Sequence, residues 1–338
     1  GSIGRTINLI FDDPNYALQT FLGASGFYVK KFLLPLPLNL AIREIDPIYN
    51  LFGVAVLFGC FYLIRHNTIS SAFSLTGVIL FLPALPLAFG TITWTAYAER
   101  YIYVSSAFWV MAMVIYLDRI IRGQRIKHYC SYGALILLLI LFIVSFHRSF
   151  IWKSNLKLWQ DTVEKSPEFK MIYVDYMLAL IKNGDFHEAM RQYNIASSIP
   201  SVGYYEMLDL AMASALSKDG NYSEATKYYE IAIDKTKGKS VKVYELYRNF
   251  LRERLVEVNN DELICNPYFK KKLECLDALF ELQNEPSLMF RAGELSLIAG
   301  DNVSAIRYFK KVISSASSTS SYHKNAVKLL NRLECVER

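Results

Sequence analysis

Long apolar runs separated by short polar connectors make up most of the first half of the chain. Four runs, at residues 48–64, 72–90, 101–117 and 129–146, have the composition of membrane-crossing helices, which need about 17–25 apolar residues. Buried core helices can also be apolar, but four such runs in close succession favour membrane spans. Pro83 and Pro86 interrupt the second run, where each removes a backbone donor. We therefore expect irregular backbone there, bordering a cavity.

Residues 14–40 are apolar and aromatic but differ from these spans, because Lys30 and Lys31 lie in the middle of the segment and Pro35 and Pro37 close it. A full span with two lysines at its centre would be costly. The pattern instead predicts an interfacial or re-entrant helix at the outer face, with its lysines turned to headgroups. Two ammonium groups at that depth suit a phosphorylated lipid, and simple snorkelling accounts for them equally well.

The second half of the chain carries a repeated helical pattern. Segments 183–200, 219–235 and 299–315 share a glycine, an alanine five residues later and an aromatic residue nine later. Gly184 and Gly220 are 36 residues apart, close to the roughly 34-residue period of tetratricopeptide repeats. Two further helical segments, 240–258 and 266–282, lack this signature and are interpreted as a divergent repeat. Such arrays bind segments of other proteins.

Composition changes near Trp152, from a charge-poor half to a charge-rich half, and this predicts two domains. The predicted fold class is all-α: a multispan transmembrane domain at 1–150 followed by an extracytoplasmic tetratricopeptide-repeat α-solenoid at 151–338. A net charge of +6 without a dense basic block argues against nucleic acid as a partner. Basic residues favour cytoplasmic placement of loops 65–71 and 118–128. Five cations in those loops, Arg65, Arg119, Arg122, Arg125 and Lys127, oppose two on the other side, Arg43 and Arg100.

The five cysteines show no paired spacing typical of a metal site. Cys265 and Cys275 are close enough in sequence for a disulfide, which spacing alone does not decide. The chain begins at Gly1 without an initiator methionine, and we interpret it as a piece of a longer polypeptide.

The stretch "AERYIYVSSAF" (98–108), followed by tetratricopeptide repeats, resembles the TMTC family of transmembrane and tetratricopeptide-repeat O-mannosyltransferases and their bacterial relatives. Family members carry a similar AERxxYxPS-like stretch at the start of a late membrane helix. Residues 26–40 resemble the outer-face segment that precedes the late helices in this family. Residues 148–169 resemble the junction into its repeats.

This resemblance implies the C-terminal part of a GT-C glycosyltransferase, which moves a sugar from a polyprenyl-phosphate donor to an extracytoplasmic acceptor, such as a protein hydroxyl. Arg100 would then bind the donor phosphate with help from Lys30 and Lys31, and Glu99 would orient Arg100 or polar neighbours. Tyr103 completes the predicted donor-phosphate set. No cofactor is implied with certainty, although the chemistry leaves room for a divalent metal.

The family's catalytic aspartate belongs to a first outer loop that has no counterpart in this sequence. Asp12 and Asp13 are the nearest acidic candidates, although their position just before the late outer segment does not match. The interpretation is therefore a transferase fragment without its N-terminal catalytic loop.

A second hypothesis is a non-catalytic, membrane-anchored tetratricopeptide scaffold that recruits protein partners. The expected partners are membrane lipid, a lipid-linked sugar, and a protein or peptide on the concave face of the repeats. The expected location is a membrane with the repeats outside the cytoplasm, and a bacterial inner membrane is favoured over the endoplasmic reticulum. A transporter would leave the repeats unexplained.

Overall fold

The apolar runs of the first half form helices. The computed structural model describes residues 2–90, 92–93, 95–121, 124–200, 206–256 and 258–336. Over these residues the architecture is all-α, as predicted, with an isolated antiparallel bridge between Ile42 and Tyr97. The chain divides into two compact units, Gly1–Ala179 and Leu180–Arg338.

The first unit contains two shorter N-terminal helices, the apolar helices and the helix that follows them. They are α1 (Ser2–Asp12), α2 (Pro14–Leu33), α3 (Tyr49–Arg65), α4 (Ile69–Phe81), α5 (Tyr103–Ile120), α6 (Gln124–Trp152) and α7 (Asn155–Lys165), and α8 (Lys170–Asn183) contains the border. Three segments, Ile69–Phe89, Glu99–Ile120 and His128–Trp152, are long and apolar enough to cross a membrane by length and composition. Helix α3, with 17 residues, is shorter. That these helices lie in a membrane stays a prediction.

The proline pair breaks the second apolar run as predicted. Helix α4 ends at Phe81, and Leu82–Phe89 continues as a 3₁₀ helix that contains Pro83 and Pro86. Each proline lacks the N–H that an α-helix would need at its position. Gly90 ends the segment in a left-handed conformation, with φ at 66°.

Glycines allow α2 and α3 to pack backbone against backbone. A Cβ added at Gly26 would collide with the carbonyl oxygen of Tyr49, and one added at Gly53 would collide with that of Leu22. Beside this crossing, Phe27 and Tyr28 are buried in an aromatic core. The close approach fixes the position of the C-terminal turn of α2, which carries both lysines.

The first unit extends beyond the predicted border at 150/151. Helix α6 continues to Trp152, and the residues after α7 hold the loop that follows α2. Asn39 Nδ2 donates to Ser166 Oγ at 2.8 Å, and Ser166 Oγ donates to the Ala41 carbonyl at 2.8 Å. These polar contacts are local in space but distant in sequence, so a change in composition could not reveal them.

In the second unit, most helices pack against the helix that precedes or follows them in the sequence. One short helix is skipped in this order. They are α9 (Phe186–Ser198), α10 (Glu206–Lys218), α11 (Tyr222–Lys235), α12 (Val241–Leu255), α13 (Asn260–Leu263), α14 (Pro267–Gln283), α15 (Pro286–Ile298), α16 (Asn302–Ser315) and α17 (Ser321–Val336). The predicted divergent repeat corresponds to α12 and α14. A linear packing order of this kind is typical of helical repeat proteins.

The predicted glycine turns are present. Gly184, Gly220 and Gly300 all have positive φ, at 89°, 87° and 76°. After Gly220, the amide of Asn221 donates to the carbonyl of Leu216 at 2.9 Å, which closes the preceding helix. The alanines five residues after the three glycines, Ala189, Ala225 and Ala305, are fully buried. Their small side chains permit the close helix packing that the sequence indicates.

Cys265 and Cys275 do not form the disulfide that the sequence left open, since Cys265 is an exposed free thiol and Cys275 a buried free thiol. The side chains of Arg122, Arg125, Lys127 and Cys335 lie outside the described residues. The predicted topology depends in part on the first three.

Candidate functional site

A cavity of about 730 Å³ opens where the end of α2, the start of α5 and the end of α6 come together. All three elements belong to the first unit. Its polar and charged lining residues are Lys31, Asn39, Glu99, Ser106, Ser145, Arg148, Ser149 and Lys153, and the walls include Phe32, Ile102, Tyr103 and Trp152. Three cations thus face one carboxylate, so the lining carries a net positive charge.

Lys31 and Glu99 form a buried ion pair in the lining of this cavity. The Lys31 ammonium lies 2.6 Å from Glu99 Oε1, and the two side chains are 4% and 18% exposed. The backbone N–H of Asn39 donates to the same carboxylate oxygen at 3.4 Å. In this low-dielectric setting the attraction is stronger than in water, while each charge has lost hydration.

The sequence suggested that both lysines turn to headgroups, but the structure shows both bound to backbone carbonyls of the chain. Lys31 donates to the carbonyl of Pro37 and packs over the ring of Phe27, 5.6 Å from its centroid. Lys30 is half-buried and donates to the carbonyl of Leu36. Burial, and then the positive charge of Lys31, lower the pKa of Lys30. Because the chain bends back after Leu33, its own carbonyls take the place of the expected lipid ligands.

Arg148 and Lys153 are cavity cations that sequence reasoning missed. Arg148 forms an ion pair with Asp161, which also accepts from Lys165 Nζ at 2.6 Å. Burial would raise the pKa of Asp161, but hydrogen bonds from Lys165 and Arg148 outweigh it and lower that pKa. Lys153 is exposed, and its ammonium lies 4.8 Å from the centroid of the Phe150 ring. Among the residues described, no carboxylate forms an ion pair with Lys153.

Glu99 was expected to orient Arg100 or polar neighbours, and the structure gives it Lys31 rather than Arg100 as its partner. Both residues lie in the 3₁₀ turn Glu99–Ile102, but Glu99 turns toward Lys31 while Arg100 is exposed. The Arg100 guanidinium lies 5.1 Å from the ring centroid of Tyr101, and it is not among the residues that line the cavity. Tyr103, by contrast, does line the cavity.

The acidic candidates Asp12 and Asp13 are not brought to this site. Asp13 caps α2 by accepting from the backbone N–H of Tyr16 at 2.9 Å. Lys31 is eighteen residues further along the same helix, a distance of about 27 Å at 1.5 Å per residue. Asp13 therefore has a structural role at the far end of α2.

An apolar cavity of about 390 Å³ lies next to the charged one. Phe32 lines both, and Trp109, whose ring centroid is 5.1 Å from that of Phe32, lines the apolar one. The other walls come from α2, α3, α4 and α5 and are mostly aliphatic or aromatic. The two cavities thus place a basic surface beside an apolar one.

This arrangement is suited to binding an anion that carries an apolar group. Guanidinium and ammonium groups bind phosphate oxygens strongly, and the neighbouring walls suit hydrocarbon. Glu99, the carboxylate among the lining residues, is held by Lys31 and is poorly placed to act as a free base. Among the residues described, no group of three histidine, cysteine or acidic side chains converges as metal ligands.

The sequence did contain a signal for the missed cations. Arg148 and Lys153 flank the end of the last apolar run, on the side predicted to be outside. Positive charge at that end runs against the usual cytoplasmic bias of basic residues. Such charge therefore indicates a specific role for these two residues.

No family model matches the sequence, and neither does any curated protein. Among solved structures, the chain is similar to the C-terminal part of a TPR repeat-containing protein from Cytophaga hutchinsonii. That match covers 55% of this chain and 78% of the other, at 13% identity and a TM-score of 0.36. It is also similar to YrrB, described as a TPR protein with an unusual peptide-binding site, over 56% of this chain and 87% of the other, at 14% identity and a TM-score of 0.33. These similarities are too low to carry an argument, so the tetratricopeptide-like description rests on the helix packing and glycine turns of the second unit.

Proposed function

We propose that the cavity beside Lys31 and Glu99 binds the phosphate of a lipid-linked sugar, as the donor subsite of a membrane glycosyltransferase. The observation that carries this proposal is the lining of three cations against a single, already paired carboxylate. Lys153 supplies positive charge at the wall without a carboxylate partner among the described residues, and Arg148 adds a guanidinium that Asp161 holds in place. The Lys31–Glu99 pair joins the α2 and α5 sides of the cavity lining.

The adjoining apolar cavity accommodates part of the lipid chain. Phe32 forms a shared wall, so a phosphate near Lys153 leaves its hydrocarbon close to Trp109 and the faces of α3 and α4. Burial of hydrocarbon contributes about 25 cal/mol per Å². The proposed ligand therefore needs both a phosphate and an extended apolar tail.

The assignment of sugar transfer to this site follows from the resemblance of residues 98–108, 26–40 and 148–169 to the TMTC family. Since Glu99 is engaged and Asp13 lies at the far end of α2, the residue that activates the acceptor comes from outside this cavity. The described residues thus provide donor binding rather than the complete reaction centre.

Binding is tested with the full chain in detergent micelles, using an undecaprenyl phosphate probe in native mass spectrometry. Lys153→Gln removes an exposed cavity cation and is expected to weaken binding about tenfold. Lys157→Gln changes an exposed lysine four residues later, on α7 and outside the cavity lining; it serves as the matched control and should leave binding unchanged. Equal binding of the phosphate and of undecaprenol, or no effect of Lys153→Gln, would contradict the proposal.

Transfer is tested separately, by incubating native membranes containing the protein with a radiolabelled polyprenyl-phosphate sugar and a serine- and threonine-rich peptide. Transfer of label that depends on Lys153 supports a glycosyltransferase. Binding without transfer would retain the lipid-phosphate site and reject the transferase assignment for this chain.

A second candidate function is a membrane-anchored scaffold that binds proteins through its repeats. The helical array of the second unit favours it, because such arrays present extended binding surfaces. The two candidates differ at Lys153, whose substitution should leave partner binding by the repeats intact.

A further inference from the structure

A buried lysine lies within the second unit. Lys272, on α14, is 8% exposed, and its ammonium donates to the backbone carbonyl of Arg248 on α12. A lysine ammonium has three N–H donors, and the structure gives this one a single protein acceptor among the described residues. Two donors therefore remain for another ligand.

Three arginines on α12 and α15 act electrostatically on this lysine. Arg248 and Arg252 are one turn apart on α12, and Arg291 is on α15; α14, which carries Lys272, packs against both helices. Burial, and then the positive charges of Arg248, Arg252 and Arg291, lower the pKa of Lys272 to about 8. The four side chains thus form one cluster, which we call the basic cluster.

The basic cluster differs from several other cations of the second unit, which form ion pairs. Lys271, next to Lys272, forms an ion pair with Glu230, and Lys311 is 2.8 Å from Asp277. Within the described part of the chain, no carboxylate forms an ion pair with any member of the basic cluster. No ion pair of the described residues therefore offsets their mutual repulsion.

We propose that the basic cluster binds an acidic peptide segment of a partner protein. Arg252 and Arg291 are exposed, and planar guanidinium groups bind carboxylates in bidentate geometry. An anchored carboxylate would also supply an acceptor for the spare donors of Lys272. A peptide fits better than a globular surface, since helical arrays present an elongated face to extended segments. The proposal rests on protein binding by the repeats and is independent of the lipid cavity.

The test uses the full chain in detergent micelles and a fluorescein-labelled oligoglutamate peptide, followed by fluorescence anisotropy. An oligoglutamine peptide of the same length is the control ligand. We expect saturable binding of oligoglutamate alone, weakened by salt. The double variant Arg252→Gln and Arg291→Gln should weaken it at least tenfold, roughly the loss of one charge-assisted contact or more.

Lys270→Gln and Lys310→Gln together form the matched control, because both lysines are exposed in the same unit and lie outside the basic cluster. This control should bind as the unaltered chain does. Failure of oligoglutamate to bind, or equal loss in both double variants, would overturn the proposal. Binding of oligoglutamine with equal affinity would also overturn it, while leaving peptide binding by the repeats intact. A competition with anionic phosphatidylglycerol vesicles separates the peptide from a membrane surface as the ligand. If the vesicles displace no peptide, the basic cluster does not bind lipid. If they displace it and this displacement requires Arg252 and Arg291, the cluster is a lipid site and the peptide proposal is overturned.

Discussion

Lys31 Nζ and Glu99 Oε1 lie 2.6 Å apart, although the residues are 68 positions apart in the sequence. The pair joins the end of α2 to the turn before α5. Near it, the backbone N–H of Ala98 donates to the hydroxyl of Tyr28 at 3.4 Å. Glu99 and Arg100 are thus neighbours with separate roles, one closing the fold and one facing outward.

Lys31→Met is expected to destabilise the first unit by about 3 kcal/mol, because it leaves the Glu99 carboxylate largely buried without its cation. Unfolding of the full chain in detergent micelles, followed by tryptophan fluorescence, measures this loss. The double variant Lys31→Met and Glu99→Gln should recover much of it, since a neutral amide costs less to bury than a carboxylate. If the double variant is as unstable as the single one, the ion pair is not the source of the effect.

Gly26→Ala is expected to destabilise the α2–α3 crossing by about 2 kcal/mol or more. Its Cβ would meet the backbone of α3, which cannot yield as a flexible side chain can. Gly59→Ala is the matched control on α3, where an added Cβ has no heavy atom within 4 Å. That substitution should be neutral or stabilise the helix by up to about 1 kcal/mol. Equal unfolding midpoints for the two variants would contradict the close crossing.

Local physics made much of the fold predictable. Pro83 and Pro86 lack the donors of an α-helix, so the break after Phe81 could be expected from the sequence. The turns at Gly184 and Gly220 likewise follow from a residue that tolerates positive φ. These features depend on residues that are neighbours along the chain.

The candidate site was less predictable because it joins distant segments. Sequence adjacency suggested that Glu99 orients Arg100, but neighbouring residues on a helical turn point in different directions. Arg148 and Lys153 enter the cavity only through the placement of the end of α6 beside α2 and α5. Asp13 is a candidate catalytic acid from the sequence alone, but the length of α2 places it far from Lys31.

Gly220→Ala is expected to destabilise the α10–α11 hairpin by about 1–2 kcal/mol. An added Cβ has no heavy atom within 4 Å, so the cost comes from the φ of 87° and not from crowding. Gly220→Asn should cost less, since asparagine tolerates left-handed backbone better than alanine. Hydrogen exchange over 206–235 in the full chain measures both changes. Identical exchange for the two variants would point to another cause.

Lys272 should make the stability of the second unit rise with pH. Burial first, and then nearby arginines, lower its folded pKa to about 8, whereas the unfolded chain keeps a value near 10.4. Below about pH 8 both states hold the proton, and the cost of burying the charge is present in full. Between about pH 8 and pH 10 the unfolded state binds more protons than the folded one, so the free energy of unfolding increases with pH.

The expected gain over that range is on the order of 1–2 kcal/mol, read from hydrogen exchange in 241–255 and 267–283 after correction for the intrinsic pH dependence of exchange. Lys272→Met should abolish the gain, because no proton is then released from that site. Lys270→Met, at an exposed lysine of the same helix, should keep it. Other groups also titrate at alkaline pH, and those that do not interact with Lys272 are common to all three proteins and cancel in the comparison. A rise that persists unchanged in Lys272→Met would show that the buried ammonium is not its origin, whereas its loss in that variant alone would assign the rise to Lys272.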